Sequence, residues 1–263
     1  DPPVRGRDKI VAMAAGAINE CAASIYHAVP AGVPLLLAVT EESRVGRVAG
    51  LDDSLIQDIE SRTQVSFGTE SRVIPNGPVG GAEAVRLAFE LINEAKYPHV
   101  VVCGADTFLT AATLNALDNE NRLLTPSNSN GLIPGEAACA VLLTKSPQPQ
   151  PGQFVMRGVG FGQETVTIRA EGEPFRADGL VSAIQDAFKR TGVTYDQIDY
   201  RITDISGEQY SFKEAALATS RTMRKLKEEF DIWHPADCIG DVGAAIVPAM
   251  ISVARSAATK GRV

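Results

Sequence analysis

The sequence predicts an α/β fold built from two similar βα halves around a largely parallel sheet. Three observations predict it. Short apolar, β-branched runs of strand length recur along the chain, bounded by turn residues. Longer segments with helical periodicity alternate with them. The Pro-rich stretch "SPQPQPGQ" (Ser146–Gln153) cuts the chain near its middle, and behind it the alternation starts again. Residues 1–150 are therefore expected to form the first half and 151–263 the second, packed as one compact unit.

Each element follows from local chemistry. Arg7 to Ile25 is rich in small apolar residues and reads as a buried helix. "GVPLLLAVT" (Gly32–Thr40) is too short for a helix and reads as a buried strand. "LDDSLIQDIESRT" has helical periodicity, with Asp52 or Asp53 able to cap it. A short β segment, Ser71–Ile74, then leads through a turn into "GGAEAVRLAFELINEAK", whose Ala84, Leu87, Ala88, Leu91 and Ile92 share one helical face. "HVVVCGAD" (His99–Asp106) and "GEAACAVLLTK" (Gly135–Lys145) read as buried strands. In the second half a strand is expected around Phe154–Gly160, then the helix "GLVSAIQDAFKRTG" and the strand "DYRITDIS". The helix "SFKEAALATSRTMRKLKEEF" and an apolar helix from Asp241 to Ala257 complete the pattern.

Composition excludes several function classes. A formal charge of −7 argues against non-specific nucleic-acid binding. No apolar run approaches the roughly 20 residues that span a bilayer, so no membrane role is expected. His27, His99 and His234 show no metal-ligand spacing, and neither dinucleotide nor phosphate-loop signatures occur, so no metal and no cofactor is expected. Cys21, Cys103, Cys139 and Cys238 are far apart, without a paired motif, in apolar or small-residue contexts. They read as buried free thiols of a reducing, cytoplasmic compartment.

The stretch "VIPNGPVGG" (Val73–Gly81) has the glycines of a sharp turn into a helix, the geometry that presents a nucleophile. It holds no Ser, Cys, Thr or Lys, only Val79 where a reactive side chain would stand. Three spaced segments carry a resemblance: "NGPVGGAEAVRLAFELINEAKYPHVVVCGADT" (Asn76–Thr107), "NGLIPGEAACAVLL" (Asn130–Leu143) with "GVGFGQE" after it (Gly158–Glu164), and "GDVGAA" (Gly240–Ala245). In order and spacing, over about two-thirds of the chain, they resemble the β-ketoacyl synthases of the thiolase-like superfamily. The resemblance implies a layered α-β-α-β-α fold. It also implies an elbow cysteine that accepts an acyl group and two histidines that assist decarboxylation and stabilise enolate charge.

Laid over this sequence, the cysteine falls on Val79, the first histidine on Ser206 and the second on Asp241, with the lysine that usually precedes the second near Ala236. Valine has no nucleophilic atom, so acyl transfer at that elbow is excluded. An aspartate at position 241 adds negative charge where the reaction builds it. The resemblance therefore points to a ketosynthase homologue without its triad. Such a protein would bind an acyl chain or acyl-carrier group, or serve as a structural or regulatory partner.

The alternative is an acyltransferase or thioesterase with a different site. Cys238 is the best replacement thiol, against the plainer reading of a small buried residue. Asp204, Glu208 and Asp241 form a candidate carboxylate group, against a helix-capping Asp241 and a solvated Glu208. Glu136 resembles a residue that holds a loop by hydrogen bonds, and Phe161 lies on the family's pocket-side loop. His234 and Trp233 read as a partly exposed aromatic pair. The expected partners are an acyl-carrier protein or acyl-CoA, and a second subunit in a homodimer or a heterodimer with a ketosynthase-like chain. "RTMRKLKEEF" reads as a solvated helix face, with docking of an acidic carrier protein as the sharper alternative. The sequence opens near a helix and stops just after one, without the terminal strands of the family, which suggests a compact variant or a fragment.

Overall fold

The computed structural model describes residues 4–23, 31–95, 97–145, 153–168, 170, 172–225, 227 and 231–260. Its first half is ordered by one strand, β1 (Leu35–Ala38), whose residues are all buried. Three consecutive leucines leave neither face polar, as a strand covered on both sides requires. β2 (Arg72–Ile74) and β3 (His99–Thr107) flank β1 in parallel, and β4 (Glu136–Thr144) runs antiparallel to β3, giving the sheet order β2-β1-β3-β4.

Alternation along the strands sends residues to two cores. Leu35, Leu37, Val101 and Cys103 face α1 (Gly6–Ala23) and α2 (Ser54–Thr63), against Ile10, Ile18, Leu55 and Ile59. Leu36, Val100 and Val102 face the opposite way, onto α3 (Gly77–Asn93) through Ala84, Val85 and Ala88. Each fully buried leucine contributes about 1.5–3 kcal/mol. The expected helix Arg7–Ile25 is α1, its last two positions lying outside the described residues. The two aspartates before α2 divide their work: Asp52 accepts from the Ser54 backbone N–H, while Asp53 accepts from the Val73 N–H and so ties the helix to β2.

α4 (Ala111–Asn119) follows β3, and Thr110 caps it by accepting from the Thr113 N–H. Behind the Pro-rich stretch come α5 (Asp178–Thr191), β5 (Tyr200–Ile202), α6 (Gln209–Thr222), β6 (Asp231–Trp233), α7 (Ala236–Ile239) and α8 (Ile246–Thr259). β5 and β6 pair in parallel as a separate two-stranded sheet. α8 returns to the first half, where Val247 and Ile251 pack into the α3 core.

Three expectations in the second half are corrected. The segment around Phe154–Gly160 joins no ladder; it lies across α5, where a Cβ at Gly158, Gly160 or Gly162 would strike the helix. Its every-second-residue pattern records helix contact, not strand pairing. The strand expected over "DYRITDIS" is reduced to the three residues of β5. The helix expected to Phe230 ends at Thr222, where Met223 takes an extended conformation. "RTMRKLKEEF" is therefore not a continuous helix face, and Leu226 and residues 228–230 lie outside the described residues.

Candidate functional site

The elbow forms where β2 gives way to α3. Gly77 has φ +55° and donates its N–H to Val39 O at 3.0 Å; a Cβ there would collide with the Glu41 carboxylate. Gly81 leaves room for Val247 and Pro248 of α8. Val79, in the first turn of α3, is 68% exposed. A large apolar side chain thus stands open at the tip of the elbow, as the glycine pattern predicts, with no reactive atom. The Asn76 side chain does not cap the helix; its amide donates to Glu83 instead.

Beneath the elbow runs a buried ionic network. Glu41 receives two hydrogen bonds from Arg44, from Nε at 3.0 Å and Nη2 at 2.6 Å. Arg44 donates Nη1 to Asp106 Oδ1 at 3.0 Å and lies over the Phe108 ring at 3.9 Å. Asp106, at the end of β3, has no exposed surface. It accepts also from Thr40 Oγ1, from the Thr107 N–H at 2.8 Å and from the Ala244 N–H at 3.0 Å. These bonds satisfy a carboxylate that burial would otherwise make costly. They also fix the 3₁₀ turn Gly243–Ala245 ahead of α8 against the end of β3. Gly104 allows that approach, since any Cβ would meet the Ala244 carbonyl.

Asp241 sits just before this turn. Its backbone bridges to Ile133 and Gly135, its Oδ1 accepts from the Gly243 N–H at 3.0 Å, and its Oδ2 accepts from Ser206 Oγ at 3.2 Å. Desolvation pushes the Asp241 carboxyl up, against the pull of these two hydrogen bonds and of the Arg44 charge. Asp241 caps neither helix: Val242 is the N-cap of the 3₁₀ turn and Ala245 that of α8, and the Asp241 carboxylate closes a local turn onto the Gly243 N–H. Positions 206 and 241 meet as a hydrogen-bonded hydroxyl and carboxylate, joined to the elbow through Arg44 and Glu41.

The carboxylate group is rearranged. Glu208 is 7% exposed and held by Arg122, Nε to Oε1 at 2.7 Å and Nη2 to Oε2 at 2.8 Å. The expected solvated Glu208 is therefore corrected: the carboxylate is buried, and the fork-to-fork pair engages both its oxygens. Asn130 Oδ1 accepts from the Gln209 N–H at 2.7 Å, fastening the same loop. Asp204 is exposed, and desolvation by the protein packed around it pushes its carboxyl up. Glu214 on α6 joins it: desolvation first, then the Asp204 and Glu164 charges, raise it to about 7. Among the described residues, no group of His, Cys, Asp and Glu has metal-binding geometry.

Of the thiols, Cys103 is fully buried and Cys139 half-buried, and desolvation raises both. Cys21 is half-buried and Cys238 exposed on α7, so the expectation of four buried thiols holds fully only for Cys103. Glu136 accepts from Lys9 and from Thr107 Oγ1, the structural role its motif suggests. Phe161 is exposed on the segment that crosses α5. His234 is half-exposed, bonded to Thr203 Oγ1 at 2.7 Å, with its ring edge-on to Phe212; Trp233 stacks instead on Tyr200. Glu41, Arg44 and Arg122 were not legible as site residues, because their partners are remote in sequence.

The sequence matches no family model and no curated protein. Solved structures do match. The ketosynthase from module 6 of the bacillaene synthase of Bacillus subtilis 168 superposes with a TM-score of 0.72 over 96% of this chain and 47% of its own, at 14% identity. The chain has the ketosynthase fold. A β-ketoacyl synthase from Burkholderia phymatum STM815 gives a TM-score of 0.71 over 96% of this ketosynthase-fold chain and 69% of its own, at 15% identity. A type II polyketide ketosynthase, in complex with its acyl-carrier protein and bound to the hexaketide, gives 0.68 over 94% and 70%, at 13% identity. The ketosynthase-fold chain spans about half the length of the bacillaene ketosynthases it matches.

Proposed function

We propose that this chain is a β-ketoacyl synthase homologue that cannot carry out Claisen condensation through the usual triad. It binds an acyl chain or an acyl-carrier-borne group, or completes a ketosynthase-like partner subunit, in a fatty-acid- or polyketide-type pathway. The observation that carries this reading is the exposed Val79 at an intact elbow, tied through Glu41, Arg44 and Asp106 to the turn before which Asp241 holds Ser206. The scaffold of the reaction is retained and its three reacting groups are absent. Support for a carrier-protein partner comes from the neighbour that binds one, and support for a second subunit from the family resemblance.

Incubation with an acyl thioester and intact-mass analysis tests it. No covalent adduct is expected on the elbow. Val79→Cys supplies a thiol at the helix N-terminus and is expected to become acylated there, with release of the leaving thiol. It is expected to form no carbon–carbon bond when a malonyl thioester is added, since Ser206 and Asp241 offer no imidazole. An acyl adduct on the native elbow, or condensation by the native chain, overturns the proposal. Loss of thioester turnover in Cys238→Ala would instead favour a non-standard site.

A further inference from the structure

A cavity of about 750 Å³ lies at the opposite end of α3 from the elbow. Its walls are the last turns of α3 (Phe89, Ile92), the C-terminal part of β4 (Val141 to Thr144), the segment Gln153–Met156 and one face of α8. Phe89 is ten residues beyond Val79, about 15 Å along the helix, so this is a separate site. The volume falls within the range that encloses small-molecule ligands.

The lining is divided by chemistry. Valine, leucine, isoleucine and phenylalanine side chains make its body, and Phe154 and Val155 remain exposed at its edge. The charged groups are Lys145 and Arg255. The chain has 32 acidic residues and a net charge of −7, yet among the described residues no carboxylate lines the cavity. Nor, among the described residues, does either cation take part in an ion pair. Ser256, one residue beyond Arg255 on α8, adds a hydroxyl on the same side, while the Ser252 hydroxyl donates to Pro248 O at 2.9 Å. Two unpaired cations beside an apolar trough, in an otherwise acidic protein, form a site for one kind of guest.

We propose that this cavity binds a long-chain carboxylate, with the alkyl chain along β4 and α3 and the carboxylate between Lys145 and Arg255. Burial of methylene groups supplies the affinity, and the two cations select an anionic head over a neutral one. The site does not depend on the elbow's chemistry.

Displacement of a fluorescent fatty acid from the whole chain by palmitate measures it. Saturable binding is expected, with hexadecanol about tenfold weaker than palmitate on the unaltered protein. Arg255→Glu is expected to weaken palmitate about tenfold and leave hexadecanol unchanged. Ile251→Trp, which fills the trough, is expected to abolish binding of both, and Val79→Trp at the elbow to change neither. The proposal is overturned if palmitate fails to bind, if hexadecanol binds as well as palmitate, or if Arg255→Glu has no effect. Loss of binding in Val79→Trp overturns it too, by placing the ligand at the elbow. Sedimentation with anionic phospholipid vesicles without uptake of free palmitate, or a dimer that Ile251→Trp breaks and palmitate does not, would show another occupant and overturn it equally.

Discussion

Replacing Arg44 by methionine tests the network that joins the elbow to the Asp241 turn. Arg44 is almost fully buried and faces Asp106, which is completely so. Breaking a buried pair from one side costs about 3–5 kcal/mol, because the remaining charge stays uncompensated. Asp106 would keep three hydrogen bonds, from Thr40, Thr107 and Ala244, which places the cost at the lower end. Loss of the stack on Phe108 adds about 1 kcal/mol, and the rim bond to Glu41 less than that. Arg44→Met is thus expected to lose about 4 kcal/mol in urea unfolding, and Asp106→Asn about 2 kcal/mol, since Arg44 then keeps Glu41. In Arg44→Met/Asp106→Asn no buried charge is stranded, so the double variant is expected to fall about 2 kcal/mol short of the sum. At this chain length Arg44→Met corresponds to a melting temperature lower by about 10 °C. A loss under about 1 kcal/mol, or strict additivity in the cycle, refutes the account.

Glu214 makes a pH prediction. Its folded-state pKa, about 7, lies above the ordinary carboxyl value of 4.5, so the folded chain holds the proton more tightly and stability falls as pH rises between those values. Glu214→Gln is expected to stabilise the protein by about 1 kcal/mol at pH 8 and by nothing at pH 4, the full shift being reduced by solvent screening at this half-exposed site; equal effects at both pH values refute it. Gly104→Ala drives a Cβ into the Ala244 carbonyl and is expected to cost about 3 kcal/mol or more, read by thermal unfolding. Glu208→Gln leaves Arg122 only the longer ion pair to Glu120 at 3.7 Å and is expected to cost about 2 kcal/mol, with faster hydrogen exchange in the Ser206–Gln209 loop as the local readout.

Legibility followed the range of the interactions. β1 and β3 could be read because burial on both faces of a strand makes a continuous apolar run, and α3 because burial of one face writes a helical period; β4, expected to be buried, carries the same kind of run but is only half-buried at the edge of the sheet. The Phe154–Gly160 segment misled because glycines packed on a helix at every second position imitate the period of a strand. Glu208 misled because its neighbours in sequence are polar, while the arginine that buries it lies 86 residues away.

The sequence by itself determined the class of fold and the elbow: the glycines at 77, 80 and 81 set the turn, and the valine at position 79 carries no nucleophilic atom, a covalent fact that no packing alters. Only the tertiary structure decided what fills the site around it. Arg44 and Asp106 are 62 residues apart, and Ser206 and Asp241 35. Arg44 reaches Asp106 because the strand before it, β1, pairs with β3, and β3 meets the turn before α8 backbone to backbone across Gly104. A carboxylate's protonation and partners depend on the atoms brought around it by such long-range closure, and local pattern carries no record of them.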